Sequence, residues 1–366
     1  MPPQVLAAAV VLQTLHGLSD ADTVQALRCD LRWKAACGLG LYDTACDPSL
    51  LTYFRRRLAR SRRPNRIFEA VGEVVAATGV LKGRQRRALD SAVLDDAVAT
   101  QDTVTQLIAA IRATIRHVPG AAQVAADCCT AHDYGDPAHV AVEPDTGLFT
   151  AVALRPGSGA AHHEAALAVD LLAEETSPVE VFGDAAYSSG ACRQALTGAG
   201  HRVVIKPAPL RPAVPGGFDL DDFAVDTAGS TVTFPAGHQV ALSAPSGRNQ
   251  QRKAFFTGQC AGCPLRSRCT KAKAGRILTI RPHHDELAAA RRQAATDPVW
   301  QDDYRRWRPP VERAIAWIVA RGNRRLRYIG TIKNNAWLHT RAALNLRTLI
   351  NLGLTRTGNA WTLVPN

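Results

Sequence analysis

Negative charge is scarcest where positive charge is densest. Between Tyr304 and Ile350 the chain carries ten arginines and one lysine but a single acid, Glu312. A surface built only to hold phosphates gains nothing from a carboxylate, so that acid needs a separate reason. Lysine is scarce as well, supplying seven of the 44 cations. No apolar run reaches the roughly 18 residues of a membrane span. No basic leader precedes the apolar stretch LAAAVVLQTL and no cleavage site follows it, which points to a cytoplasmic protein. Phosphate-cradling glycine loops, nucleotide fingerprints and internal repeats are missing, so ATP dependence is not indicated. The nine cysteines are odd in number and unevenly placed. That argues against a disulfide framework and for a reduced compartment with a metal site.

What is present describes a folded, basic protein. Hydrophobic residues make up 46% of the 366, which excludes a disordered chain. A net charge of +12 predicts a polyanionic partner, most simply nucleic acid. Residues 3–80 have helical periodicity, broken at Gly17-Leu18-Ser19-Asp20 by a stop and a fresh cap. A third helix there carries Arg55, Arg56, Arg57 and Arg60, compatible either with a helix-turn-helix on DNA or with a solvated basic face. Beyond residue 88 a short strand, a helix over 103–117 and a hairpin around Pro144-Asp145-Thr146-Gly147 are expected. A helix, a strand ending at Asp184, another helix and the strand HRVVIKP complete a mixed α/β sheet. Residues 207–285 interrupt this plan with short strand-like runs rich in Pro and Gly. Helical pattern then returns, with Pro309-Pro310 marking a helix start.

Three carboxylates stand out. Asp184 falls at the carboxyl end of a strand, where open α/β sheets bind ligands, although a helix-cap acid is the plainer alternative. Asp90 lies in a strand behind Arg84, Arg86 and Arg87, with Asp95 and Asp96 as competitors. Glu312 sits in a first helical turn, where an acid complements the helix dipole by roughly 0.3–1 kcal/mol. Hard oxygen ligands inside a basic protein are also what divalent cations need for cutting a phosphodiester. Separately, Cys260, Cys263 and Cys269 in CAGCPLRSRC have the spacing of a tetrahedral zinc site. His238 is a candidate fourth ligand, as are His283 and His284; the alternative is three buried, reduced thiols. His162 and His163 read as solvated loop residues.

The stretches ALDSAVLDD, VEVFGDAAYSS and RPPVERAIAWIVARGNRRLRYIGTIKNNAWLHTRAALNL closely resemble the DDE transposases of bacterial insertion sequences. The resemblance implies a ribonuclease H-like catalytic core and makes Asp90, Asp184 and Glu312 the catalytic triad, holding two Mg²⁺ or Mn²⁺ ions. Related enzymes carry a Tyr, Arg, Glu, Lys signature around the glutamate. Arg308 matches its arginine, whereas Tyr304 is one place off and Val319 stands where the lysine would be. Relatives often have a further cysteine at the position of Phe234, which weakens the zinc expectation. The segment between Asp90 and the hairpin is shorter than in such enzymes.

The implied organisation is a helical, DNA-binding candidate domain over 1–82 and a core over 83–206. An inserted β-rich cysteine-containing subdomain covers 207–285, and the C-terminal part of the core covers 286–366. Arg305, Arg308, Arg313, Arg324, Arg325, Arg327 and Lys333 are the expected backbone contacts to double-stranded DNA at element ends and target. A homodimer or higher assembly during transposition and a nucleoid association accompany the same reading. The rival is a catalytically inactive, internally deleted copy that only binds DNA.

Overall fold

The computed structural model describes residues 1–95, 135–157, 162–247, 249–328 and 330–364, together with positions 111, 114, 115, 117, 118 and 120. The helix expected over 103–117 falls largely outside the described residues, and Asp96 falls outside them altogether. The chain divides into two compact units, residues 1–179 with 307–366, and residues 180–306.

The first unit opens with five helices. α1 (Pro3–His16) begins at a proline, whose missing N–H is harmless in a first turn, and stops at Gly17, whose φ of 67° suits glycine. α2 (Asp20–Cys29) starts at once because the Ser19 hydroxyl accepts from the Asp22 N–H at 3.1 Å. α3 (Leu31–Ala36), α4 (Pro48–Ala59) and α5 (Arg66–Thr78) follow. Their apolar faces meet around Val10, Leu27, Trp33, Leu51 and Ile67, and Ala343 from far along the chain joins the same core. Each large side chain buried this way contributes roughly 1.5–3 kcal/mol.

Against these helices the unit builds three antiparallel strands, β1 (Arg86–Asp95), β2 (Gly135–Glu143) and β3 (Leu148–Leu154). The turn between β2 and β3 closes on Glu143. Its fully buried carboxylate accepts from the backbone N–H groups of Asp145 and Thr146 and from the Thr146 hydroxyl. Gly147 supplies the positive φ of 76° that ends the turn. The basic residues ahead of Asp90 are engaged: Arg84 pairs with Asp145 at 2.8 Å, Arg86 lies over the Trp307 ring at 4.2 Å, and Arg87 forks onto Glu175. β3 receives two asparagine side chains. The Asn345 amide both accepts from the Phe149 N–H and donates to the Phe149 carbonyl, each at 2.8 Å, and the Asn335 carbonyl oxygen accepts from the Leu154 N–H at 2.9 Å.

The second unit begins with a parallel pair, β4 (Glu180–Gly183) and β5 (Arg202–Ile205), joined through the helix Gly190–Gly198. Phe182, Tyr187, Leu196 and Ile205 are fully buried around it. Residues 224–280 then form a three-stranded and a two-stranded antiparallel sheet. Their core is aromatic, with Phe223, Phe234 and Phe256 among the buried residues beside Cys260 and Cys269. The whole is a mixed α/β protein with antiparallel strands in the first unit and a parallel pair in the second.

Candidate active site

Asp90 and Glu312 meet at one guanidinium. The helix Pro310–Val319 follows Pro309 and buries Val311, Ala314 and Ile318, a spacing that turns one face inward. Glu312 lies off that face, with a side chain 69% exposed. Arg308, one helical turn earlier, is 8% exposed and reaches both carboxylates, at 3.1 Å to Asp90 Oδ1 and 3.5 Å to Glu312 Oε1. Asp90 Oδ1 also accepts from the Ser91 N–H at 2.9 Å. The opposite end of the helix is held by Arg341, which donates to the carbonyls of Trp317 and Ile318 at 2.9 and 3.1 Å and to that of Thr14 at 3.3 Å. A cation at a helix C-terminus complements the dipole. Burial, with the nearby Arg321 charge, lowers the Arg341 pKa to about 10, so it remains charged at neutral pH.

Of the competing aspartates, Asp95 has an exposed side chain and engages through its backbone. Its N–H donates to the Arg324 carbonyl at 2.8 Å and its carbonyl accepts from Leu326 at 2.7 Å, strapping the arginine turn onto the end of β1. Asp184 belongs to the second unit. It follows β4 and caps the 3-10 turn Ala185–Tyr187, accepting from the Ala186 N–H at 2.9 Å. Asp90 and Glu312 thus offer hard carboxylate oxygens within reach of one buried cation. That is the donor chemistry a divalent magnesium or manganese ion prefers.

Two further groups beside Asp90 carry no local sequence signal. The Ser91 hydroxyl donates to Glu164 at 3.2 Å, and His139 sits opposite Ser91 on β2. His139 is fully buried, and neither ring nitrogen has a hydrogen-bond partner among the described residues. Burial pushes its pKa down to about 4. A strand register links these residues across about fifty positions of chain, which no short motif reveals.

Residues 233–350 match the family model described as Transposase DDE domain, and residues 1–57 match the one described as Transposase domain (DUF772). Together they support a DDE transposase of an insertion sequence. No curated protein matches the chain. The DDE transposase family implies nuclease and transposition activity in general, a DNA substrate and divalent metal ions.

In this chain the seven expected phosphate contacts have different surroundings. Arg313, Arg324 and Arg325 are exposed. Arg305 is exposed but paired with Asp302, and Arg327 donates to Asp20 at 3.1 Å. Lys333 is half-buried, and Arg308 faces inward onto carboxylates. The thiolate expectation meets a different outcome. Cys260, Cys263, Cys269 and His238 line one cavity of about 10 Å³ with Phe234. No group of three or more His, Cys, Asp or Glu among the described residues is arranged to hold a metal ion, neither the expected zinc ligands nor Asp90, Asp184 and Glu312 together. At the cysteines, Phe234 is 5% exposed and packs its ring against Phe218, Phe223 and Phe256, while the Cys260 sulfur accepts from the Arg276 N–H at 3.3 Å. Burial raises the Cys269 thiol, favouring its protonated form. Among the described residues no helix is long and apolar enough to cross a membrane.

Proposed function

We propose that this chain cuts and joins the DNA ends of an insertion sequence, with Asp90, Asp184 and Glu312 as its catalytic carboxylates. The observation that carries the proposal is the convergence of Asp90 and Glu312 on Arg308, with Glu312 inside the segment matching the DDE domain. The core is read as ribonuclease H-like, supported by three antiparallel strands in one unit and a β-α-β pair in the other. Asp90, Asp184 and Glu312 would hold two Mg²⁺ or Mn²⁺ ions. Such ions, when bound, supply activation of an attacking water or 3′-hydroxyl and stabilisation of the leaving oxygen.

The protein's own residues do the positioning. Arg308 fixes the Asp90 carboxylate, and Arg341 locks the far end of the Glu312 helix. Arg305, Arg313, Arg324, Arg325, Arg327 and Lys333 hold backbone phosphates, giving affinity without sequence information. Substrate DNA has two ends to be joined, so a homodimer or higher assembly accompanies the reaction.

The experiment is Glu312→Gln, which removes a charge and keeps the shape. Cleavage of a duplex carrying the element's own end, with Mg²⁺ or Mn²⁺, is expected to fall on the order of 10²-fold or more. DNA binding is expected to persist. Equal cleavage by wild type and variant removes Glu312 from the chemistry and leaves it a helix-end acid. Cleavage by neither indicates a decayed copy that only binds DNA.

A further inference from the structure

A second cationic site lies in the first unit, away from the carboxylates. A cavity of about 100 Å³ is lined by Arg55 and Arg56 of α4 and by Arg327 and Lys333 from the basic C-terminal stretch, over an apolar wall that includes Val10, Leu58 and Trp337, with Asp20 held behind Arg55 and Arg327. Ordinary small-molecule sites run to roughly 300–1,000 Å³, so this one takes a group of phosphate size. Two of its four cations share one carboxylate, Asp20, at the start of α2. Asp20 Oδ2 accepts from Arg55 at 2.5 Å and from the Thr52 hydroxyl at 3.0 Å. Asp20 Oδ1 accepts from Gln13 at 2.7 Å and from Arg327 at 3.1 Å. Arg55 is further oriented by Tyr328 and Gln13, at 2.8 and 2.9 Å.

An oxyanion receiving four donors, two of them guanidinium groups, reproduces the arrangement by which arginines bind phosphate. Burial acts to raise the Asp20 pKa, but hydrogen bonds from Arg55 and Gln13 and the charges of Arg55 and Arg327 outweigh it and hold the carboxyl below its usual range. Arg56 is exposed and Lys333 half-buried, so the cavity keeps positive charge beyond what Asp20 neutralises.

We infer that this cavity is a phosphodiester-binding site in which Asp20 stands in for a backbone phosphate until DNA arrives. The inference rests on the transposase reading, since it takes DNA as the ligand. It adds a site made jointly by the N-terminal helices and the C-terminal arginine stretch. When a phosphate enters, Arg55 and Arg327 exchange one oxyanion for another, and Asp20 is released to solvent. A merely structural Asp20 would instead keep both arginines in the bound state.

The test is Asp20→Asn, which keeps the shape, removes the charge and leaves an acceptor for only one of Gln13 and Thr52. Binding to a short duplex of arbitrary sequence is measured against salt for wild type and variant. Tighter binding by several-fold is expected with an unchanged log-log salt slope, because Arg55 and Arg327 already meet phosphate in the wild-type complex. A slope steeper by about 0.9 for each arginine, which a merely structural Asp20 predicts, or affinity of a folded variant that is unchanged or weaker, overturns the inference. If Asp20→Asn does not fold, Arg56→Gln decides instead. It is expected to make the slope shallower by about 0.9 if the cavity holds phosphate, and an unchanged slope overturns the inference. Wild-type protein that binds no DNA removes the transposase reading itself, whereas normal wild-type binding with indifferent variants removes only this site.

Discussion

The arginine before the helix Pro310–Val319 and those in the turn after it have the same composition and opposite surroundings. Arg308 is 8% exposed and faces two carboxylates, and Arg341 is 5% exposed and faces three carbonyls. Arg324 and Arg325 are exposed, with their backbone strapped to the end of β1. Inward cations fix the position of the Glu312 helix, and outward cations are available to a polyanion. What separates the two sets is the presence of an acceptor within reach, since a buried guanidinium without one would be prohibitively costly.

The sharpest way to break this contrast is Arg308→Gln. Removing one partner of a buried ion pair takes the guanidinium charge away from the Asp90 carboxylate, and a loss of up to about 3–5 kcal/mol is expected in denaturant unfolding. DNA affinity of the variant that remains folded should change little. An undiminished stability would place Arg308 with the outward set.

His139 sharpens the same contrast through pH. The folded protein holds it neutral down to about pH 4, whereas the unfolded chain protonates it near 6.5. Stability is therefore complete above about pH 6.5 and declines as pH falls towards 4, by on the order of 3 kcal/mol. His139→Leu should flatten that part of the pH profile, because the two ring nitrogens have no hydrogen-bond partners among the described residues to lose. A profile identical in wild type and variant would show that the group is not buried in solution.

The smallest effect on stability belongs to the outward set. Arg324→Gln with Arg325→Gln should alter unfolding free energy by no more than about 0.5 kcal/mol per site. The same double change should make the salt dependence of DNA binding shallower by about 0.9 per arginine, from a wild-type log-log slope expected to be steeper than about −4. Stability loss comparable to that of Arg308→Gln would erase the distinction.

Local features were legible in the sequence and distant partnerships were not. The stop at Gly17, the cap at Ser19, the turn at Pro144-Asp145-Thr146-Gly147 and the helix start at Pro310 are each decided within a few residues. Each appears where chain chemistry places it. Arg308 was grouped with phosphate contacts because sequence shows its charge but not its direction. Asp20 carries no signal beyond its place in the stop-and-cap stretch, since its arginines lie 35 and 307 positions away. The thiolate spacing suggests zinc and Phe234 weakens that expectation in the sequence itself, whereas its packing against Phe223 beside the sulfurs is visible only in the fold. Of the carboxylates, the Asp90–Arg308–Glu312 contact follows from a strand and a helix brought together by the fold, which a one-dimensional pattern cannot specify.

The two asparagine amides on β3 have a consequence for the protein's behaviour in a crowded solution. β3 pairs with β2 along one side, and on the other Asn345 and Asn335 satisfy the Phe149 and Leu154 backbone groups. A bare strand margin is a template on which a neighbouring chain can polymerise. Here the Phe149 N–H and carbonyl and the Leu154 N–H are already taken by side chains of the same molecule. Edge-to-edge pairing of two copies through β3 is thereby hindered.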